Sequence, residues 1–238
     1  MGVNSWPETA SPLDRGRVRD VWGDLRTTLA RETPFARTGA DTLDASFERI
    51  PDDLSEVPAF KEWSGAHLPL RWAMLRVLTA AAGDQEPLEL PGPVTLDKGE
   101  MRVWPGDVTV HGNLVLRRKA RVVVLGTLTV TGALIAPAYG YSLVGARRIV
   151  CRDGVSAGEI LATESVHCSG TFLLNQDTHT AMSPAFTGGT LIDCRWPAQF
   201  THVEATHRVN GGEAAAREAL AIPGGDPGDV FATRLLRG

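Results

Sequence analysis

Between Asp107 and Ala136 the chain says nearly the same thing twice. Asp107-Val-Thr-Val-His-Gly-Asn-Leu-Val-Leu116 is followed by Thr127-Leu-Thr-Val-Thr-Gly-Ala-Leu-Ile-Ala136, so that Thr109 matches Thr129, Val110 matches Val130, Gly112 matches Gly132 and Leu114 matches Leu134. Each copy alternates apolar and polar residues, breaks at a glycine and resumes, which is the pattern of strand, bend and strand. A repeat of roughly twenty residues marks a solenoid, because one such unit buries its apolar face only against the next copy.

The repeat extends. Ile149-Val-Cys-Arg-Asp-Gly-Val155 fits as a third rung with one residue inserted, Val166-His-Cys-Ser-Gly-Thr-Phe172 as a fourth and Phe186-Thr-Gly-Gly-Thr-Leu191 as a fifth. Stacked, they give one inward column of Val110, Val130, Cys151 and Cys168, and another of Leu114, Leu134, Val155, Phe172 and Leu191. A second side of the coil repeats as Val103-Trp104, Val123-Val124, Leu143-Val144 and Ile160-Leu161. Alternation alone also permits an antiparallel sandwich of short strands. Only a parallel coil requires like residues one above another at about 4.8 Å. The expected fold is therefore mainly β: a parallel β-helix of about five to six rungs over residues 87–205. An α-helical region (1–86) precedes it, and a C-terminal helix and tail (206–238) follow.

Helix signals sit on both flanks. Ser11-Pro12-Leu13-Asp14 reads as a helix start, and Val18, Val21, Trp22, Leu25 and Leu29 then recur on one face. Thr42 to Ile50 is a shorter helical segment, and residues 51–67 read as an acidic, proline-broken loop. Pro69 to Ala82 is apolar nearly all round and ends at Gly83, so it is expected at the centre of a helical bundle or plugging the end of the coil. Asn210-Gly-Gly-Glu213 reads as a cap before a helix over 211–221, with a last short helix over 229–237. A solenoid must cover its terminal rungs or aggregate, and these flanking helices are the expected covers. The four tryptophans 6, 22, 63 and 72 of the helical region read as packing aromatics.

Charge is polarised along the coil. Residues 101–152 hold eight Lys or Arg against the single Asp107, whereas residues 153–204 hold six Asp or Glu against the single Arg195. Arg117, Arg118, Lys119 and Arg121 at one corner, with Arg147, Arg148 and Arg152 about one and a half rungs later, form one cationic surface if the corners align. Such a surface binds phosphates or an acidic protein face. Nucleic acid recognition also wants aromatics among the charges, and only Tyr139 and Tyr141 are near. A protein partner with an acidic surface is the preferred expectation.

Other chemistry is sparse. In an extended segment Asn175, Asp177 and His179 share a face, where an acid can orient an imidazole, but the same residues serve as a polar corner. The histidines and cysteines show no tight metal-ligand spacing, and no glycine-rich phosphate loop or Gly-x-Ser-x-Gly motif occurs. No cofactor and no catalytic residue is expected. Three cysteines, an odd number, argue for buried free thiols in a reducing cytoplasm, although Cys151 and Cys168 stand close enough in their column to be bridged. The first residues lack the basic and apolar parts of a signal peptide, and the apolar run Leu68 to Ala82 is too short and too charged to span a bilayer.

The central rungs resemble the bactofilins, bacterial polymer-forming cytoskeletal proteins built on a small right-handed β-helix. The resemblance lies in Val108-Thr-Val-His-Gly-Asn-Leu114, Leu128-Thr-Val-Thr-Gly-Ala-Leu134 and Val166-His-Cys-Ser-Gly-Thr-Phe172, and covers about residues 94–195. It implies end-to-end stacking of coils through bare terminal rungs, and no catalytic residues. The helical flanks depart from that pattern and are expected to block stacking. Two functions are therefore weighed: a non-enzymatic protein-binding solenoid, of adaptor or toxin-antidote type, and a self-assembling scaffold. A carbohydrate-active β-helix enzyme stands third.

Overall fold

The computed structural model describes residues 13, 15–32, 68–136, 142–176, 181–195 and 198–237. Ser11, Pro12, Asp14, the segments 42–50 and 51–67, Trp6, Trp63, Tyr139, Tyr141, Asp177 and His179 lie outside them. Among the described residues two helices come first, α1 (Arg15–Glu32) and α2 (Leu68–Ala82). Ten strands follow: β1 (Leu88–Leu90), β2 (Val94–Leu96), β3 (Met101–Trp104), β4 (Val108–Val110), β5 (Leu114–Leu116), β6 (Arg121–Ala136), β7 (Leu143–Ser156), β8 (Glu159–Leu174), β9 (Ala181–Asp193) and β10 (Gln199–Asn210). Two further helices, α3 (Gly212–Ala219) and α4 (Pro227–Arg237), end the chain.

All strand pairs are parallel, and the ladders wind a solenoid of about six turns. Three ladders give it three sides. Side one stacks Val110, Val130, Cys151 and Cys168, the first column expected from the sequence. All four are buried. Side two stacks Val115, Ile135, Val155, Leu173, Ile192 and Val209. Side three stacks Val103, Val123, Gly145, Leu161 and Met182.

Two expected alignments are displaced by a residue or two. Gly154, not Val155, stands between Leu134 and Phe172 in the second inward column. Val155 belongs instead to the outward column of side two. On side three, Val123-Val124 pairs with Gly145-Ala146, while Leu143-Val144 pairs with Arg121-Val122 and with Glu159-Ile160. The first arises at the bend between sides one and two, where a register shift sets Ala133 opposite Asp153 after Val130 opposite Cys151; the second arises at the corner between sides two and three, which spans residues 117–120, 137–142 and 157–158 on successive turns. A constant rung length does not survive corners of such unequal size.

The interior is filled from all three sides. Toward the C-terminal end Phe172 enters from side two, Phe186 from side one and Phe200 from side three. Their ring centroids lie 6.1 Å (Phe172 to Phe186) and 5.4 Å (Phe186 to Phe200) apart. Phe172 takes its space from Gly154, where an added Cβ would fall 2.4 Å from two ring carbons. Gly154→Ala should therefore lower stability by about 1–3 kcal/mol through overpacking. Phe172→Leu in the same chain should return part of that loss, giving a non-additive double-mutant cycle in chemical denaturation.

Among the described residues the flanking helices cover sides rather than ends. On side three, Met101, Val103, Val123, Leu125, Leu143, Leu161 and Met182 turn outward and form one apolar cluster with Trp72, Leu75, Leu78 and Ala82 of α2. The α2 helix thus lies across successive turns, and α1 packs on its outer surface through Val18, Trp22 and Leu29. Neither a bundle centre nor an end plug describes it. The indole N–H of Trp72 donates to the carbonyl of Ala162 at 2.8 Å, and Arg71 pairs with Glu159. Gly83, with φ of 63°, turns the chain out of α2. On side two, Ile135, Val155, Leu173, Ile192 and Cys194 form a second outer cluster with Ala216 of α3 and Phe231, Ala232 and Leu235 of α4.

The C-terminal segment also starts its helices differently from expectation. The last strand runs on to Asn210, and α3 has Gly211 at its N-cap with no side-chain cap bond, so Asn210 caps nothing. The capped helix is α4: the Asp226 carboxylate accepts from the amide of Asp229 at 3.0 Å, with Pro227 in the first turn. Arg195 holds this region to the coil through Glu213 and Asp226, and the Asn175 side-chain amide donates to Asp226 at 2.9 Å.

Candidate binding face

With sides two and three under helices, side one is the uncovered lateral face among the described residues. Its outward column runs Glu89, Thr109, Thr129, Val150, His167, Thr187 and Glu204, each paired in register with the next. None of the seven is buried. Alternation explains why: Val108, Leu128, Ile149, Val166 and Phe186 point inward from the same strands, so their neighbours must point out. The side chains brace one another along the face. His111 contacts Glu89 at 2.7 Å, His167 contacts Thr187 at 2.9 Å and His202 contacts Glu204 at 2.8 Å.

The seven basic residues singled out from the sequence do not form one surface. Arg117, Arg118 and Lys119 occupy the corner between sides two and three, opposite the uncovered face. Lys119 takes the left-handed conformation there, with φ of 62°. Arg121 opens β6 on side three, half-buried, where burial and the neighbouring Arg71 lower its guanidinium pKa. Arg147, Arg148 and Arg152 lie along the two edges of side one. They have acidic neighbours: Asp107 at 3.4 Å from Arg147, Glu164 beside Arg148 and Asp153 at 2.9 Å from Arg152. Exposed pairs of this kind contribute little to stability, so their cations can be shared with a partner.

In its described part the polar corner around Asn175 is packed into the fold. Asn175 and Gln176 are buried, and the Gln176 amide donates to the carbonyl of Gly158 at 2.6 Å. The thiols of Cys151 and Cys194 are poorly suited to nucleophilic chemistry. The hydrogen bond with Cys168, and burial, hold Cys151 well above the usual thiol range. Burial pushes Cys194 up to about 11. All three cysteines are free and buried. Among the described residues no group of three or more His, Cys, Asp or Glu is placed to hold a metal ion, and no helix is long and apolar enough to cross a membrane.

The chain is a parallel β-solenoid clad on two of its three sides by its own helices. No protein-family model matches it, and no curated protein or solved structure does either.

Proposed function

We propose that the protein is a non-enzymatic binding module whose uncovered side docks another protein. The observation that carries this is the contrast between the sides. Two outward columns are apolar and covered by the chain's own helices; the third is polar apart from Val150, regular, and partly or fully exposed. The middle of this ladder, Thr109 to Thr187, carries no carboxylate and is flanked by Arg148 and Arg152, which suits a partner whose surface offers carboxylates. An adaptor or an antidote that covers a toxin's working surface has these requirements. Arg148→Glu with Arg152→Glu should reduce capture of the native partner at least tenfold, read by affinity purification and quantitative mass spectrometry, whereas Arg117→Glu with Arg118→Glu should leave it unchanged. Equal capture by all three proteins would sink this reading.

A second reading, a self-assembling scaffold of the kind the bactofilin resemblance implies, has one observation in its favour. The helices leave the end strand β10 largely exposed, with Phe200, Val203 and Ala205 only partly buried. Ordered filaments from the intact chain, seen by negative-stain microscopy at low salt, would favour this scaffold over the binding module.

A further inference from the structure

An asparagine followed by a glycine carries the means to rewrite its own main chain. The glycine amide nitrogen attacks the asparagine carboxamide carbon, and a residue without a Cβ leaves that approach open. Asn210-Gly211 is such a pair, placed where β10 hands over to α3. Both residues are exposed. Among the described residues the Asn210 carboxamide has no hydrogen-bond partner, and the Gly211 amide donates to no carbonyl. Gly211 has left the strand, with φ of 156° and ψ of 22°.

Comparable groups elsewhere are tied down. Asn113 accepts from the amide of Ala133 at 2.8 Å and donates to the carbonyl of Leu235 at 3.2 Å. Asn175 is buried and donates to Asp226 at 2.9 Å. Asp153-Gly154 has the atoms to close the same ring. There the carboxylate accepts from the Thr171 amide at 3.0 Å and from Arg152 at 2.9 Å, and Gly154 is buried within the ladder. A reaction that bends the main chain out of place is slowed by every contact that must open first. At Asn210-Gly211 none has to.

We propose that Asn210-Gly211 is a site of spontaneous deamidation that ages the joint between the coil and its C-terminal helices. The Gly211 nitrogen bonds to Cγ of Asn210 and gives up its proton, while the Cγ–Nδ2 bond breaks and ammonia leaves with that proton. A cyclic imide remains, and water opens it at either carbonyl. Cleavage at Cγ restores the main chain with an aspartate. Cleavage at the backbone carbonyl gives isoaspartate, in which the main chain runs through Cβ and Cγ. Water is consumed and ammonia released, with no change of oxidation state.

Both products act on the same joint. The new carboxylate stands in register with Asp193, whose Oδ1 is already buried without a donor. Like charges directly opposite on neighbouring strands are destabilising. Isoaspartate also lengthens the main chain just ahead of Glu213, which together with Asp226 holds Arg195. The reaction needs only water, so older molecules carry a looser α3 than young ones. The site is distinct from the protein-docking face proposed above, and neither depends on the other.

The test keeps the full chain in warm, mildly alkaline water enriched in heavy oxygen, beside a synthetic peptide running from Thr206 to Ala214. Mass spectrometry of the digested chain measures label entering at position 210, and electron-transfer fragmentation separates isoaspartate from aspartate. The folded chain is expected to react within roughly tenfold of the peptide rate, because no contact has to open, and to yield both products. Hydrogen exchange in α3 should become severalfold faster in the aged protein and stay unchanged in an equally aged Asn210→Gln chain. Three outcomes would each overturn the proposal: reaction in the folded chain more than roughly tenfold slower than in the peptide, α3 exchange unaltered once Asn210 is converted, or equal loosening in Asn210→Gln. If Asn210→Gln does not fold, parent protein stored cold is the reference, and equal exchange in the cold-stored and aged samples counts equally against the site.

Discussion

Val130→Asp is expected to leave the protein without a cooperative unfolding transition. Val130 is 1% exposed and stands between Val110 and Cys151 in the inward column of side one. A carboxylate there meets only apolar neighbours and thiols, so it must either lose its hydration unpaired or stay protonated. Either route costs several kcal/mol, comparable with the whole stability of about 5–15 kcal/mol typical of a domain. The adjacent Thr129→Asp puts the same charge on the exposed face and should change stability by only about 0.5 kcal/mol. Circular dichroism melts of the two variants make the comparison. Similar melting for both would mean that Val130 does not face the interior.

The same pair of neighbours shows what was legible in the sequence. Strict alternation in Thr127-Leu-Thr-Val-Thr131 marks one face buried and one face wet, and the structure keeps it so, with Leu128 and Val130 inside and Thr129 outside. Continuous apolar stretches carry another message. Ala133-Leu-Ile-Ala136 is buried at every position, because Leu134 points inward while Ile135 lies under α4 and its neighbours. A strand buried on both faces loses its alternation, so that run was already a sign that a helix covers side two. The same holds for Val122-Val-Val-Leu125 on side three, beneath α2. Terminal rungs and corners were harder to read. The inward pattern fixes which residues stack only while corners keep one length, and here they do not. The candidate cationic surface required corners one and a half rungs apart to align, and they do not: Arg117 stands at the corner between sides two and three, Arg148 at the edge of side one. Arg147 was named from the sequence for its charge. Its Nε is buried at a register shift between β7 and β8, which no local pattern encodes.

Removing residues 211–238 should turn the protein into an aggregating species, and the salt dependence should identify why. The deletion uncovers Ile135, Val155, Leu173, Ile192 and Cys194, a contiguous apolar column on side two. It also strips Arg195 of Glu213 and Asp226, and Asn175 of its bond to Asp226. A continuous apolar strip on a rigid surface associates with its own copy. Such association strengthens with sulfate, because excluded salts favour burial of apolar surface. Attraction between the basic early turns and the acidic later turns of different molecules behaves oppositely, fading once salt shortens the screening length to about 10 Å or less. Size-exclusion chromatography with light scattering, run at low salt and in ammonium sulfate, separates the two. Aggregates that grow with sulfate would mean that α3 and α4 cover a side of the coil, as their packing on Ile135 and Leu173 implies. Filaments that appear at low salt and dissolve as salt is added would mean that the deletion released an end, and that charge polarity drives the stacking. A truncated chain that stays monomeric with an unchanged melting temperature would show that neither helix contributes to the fold.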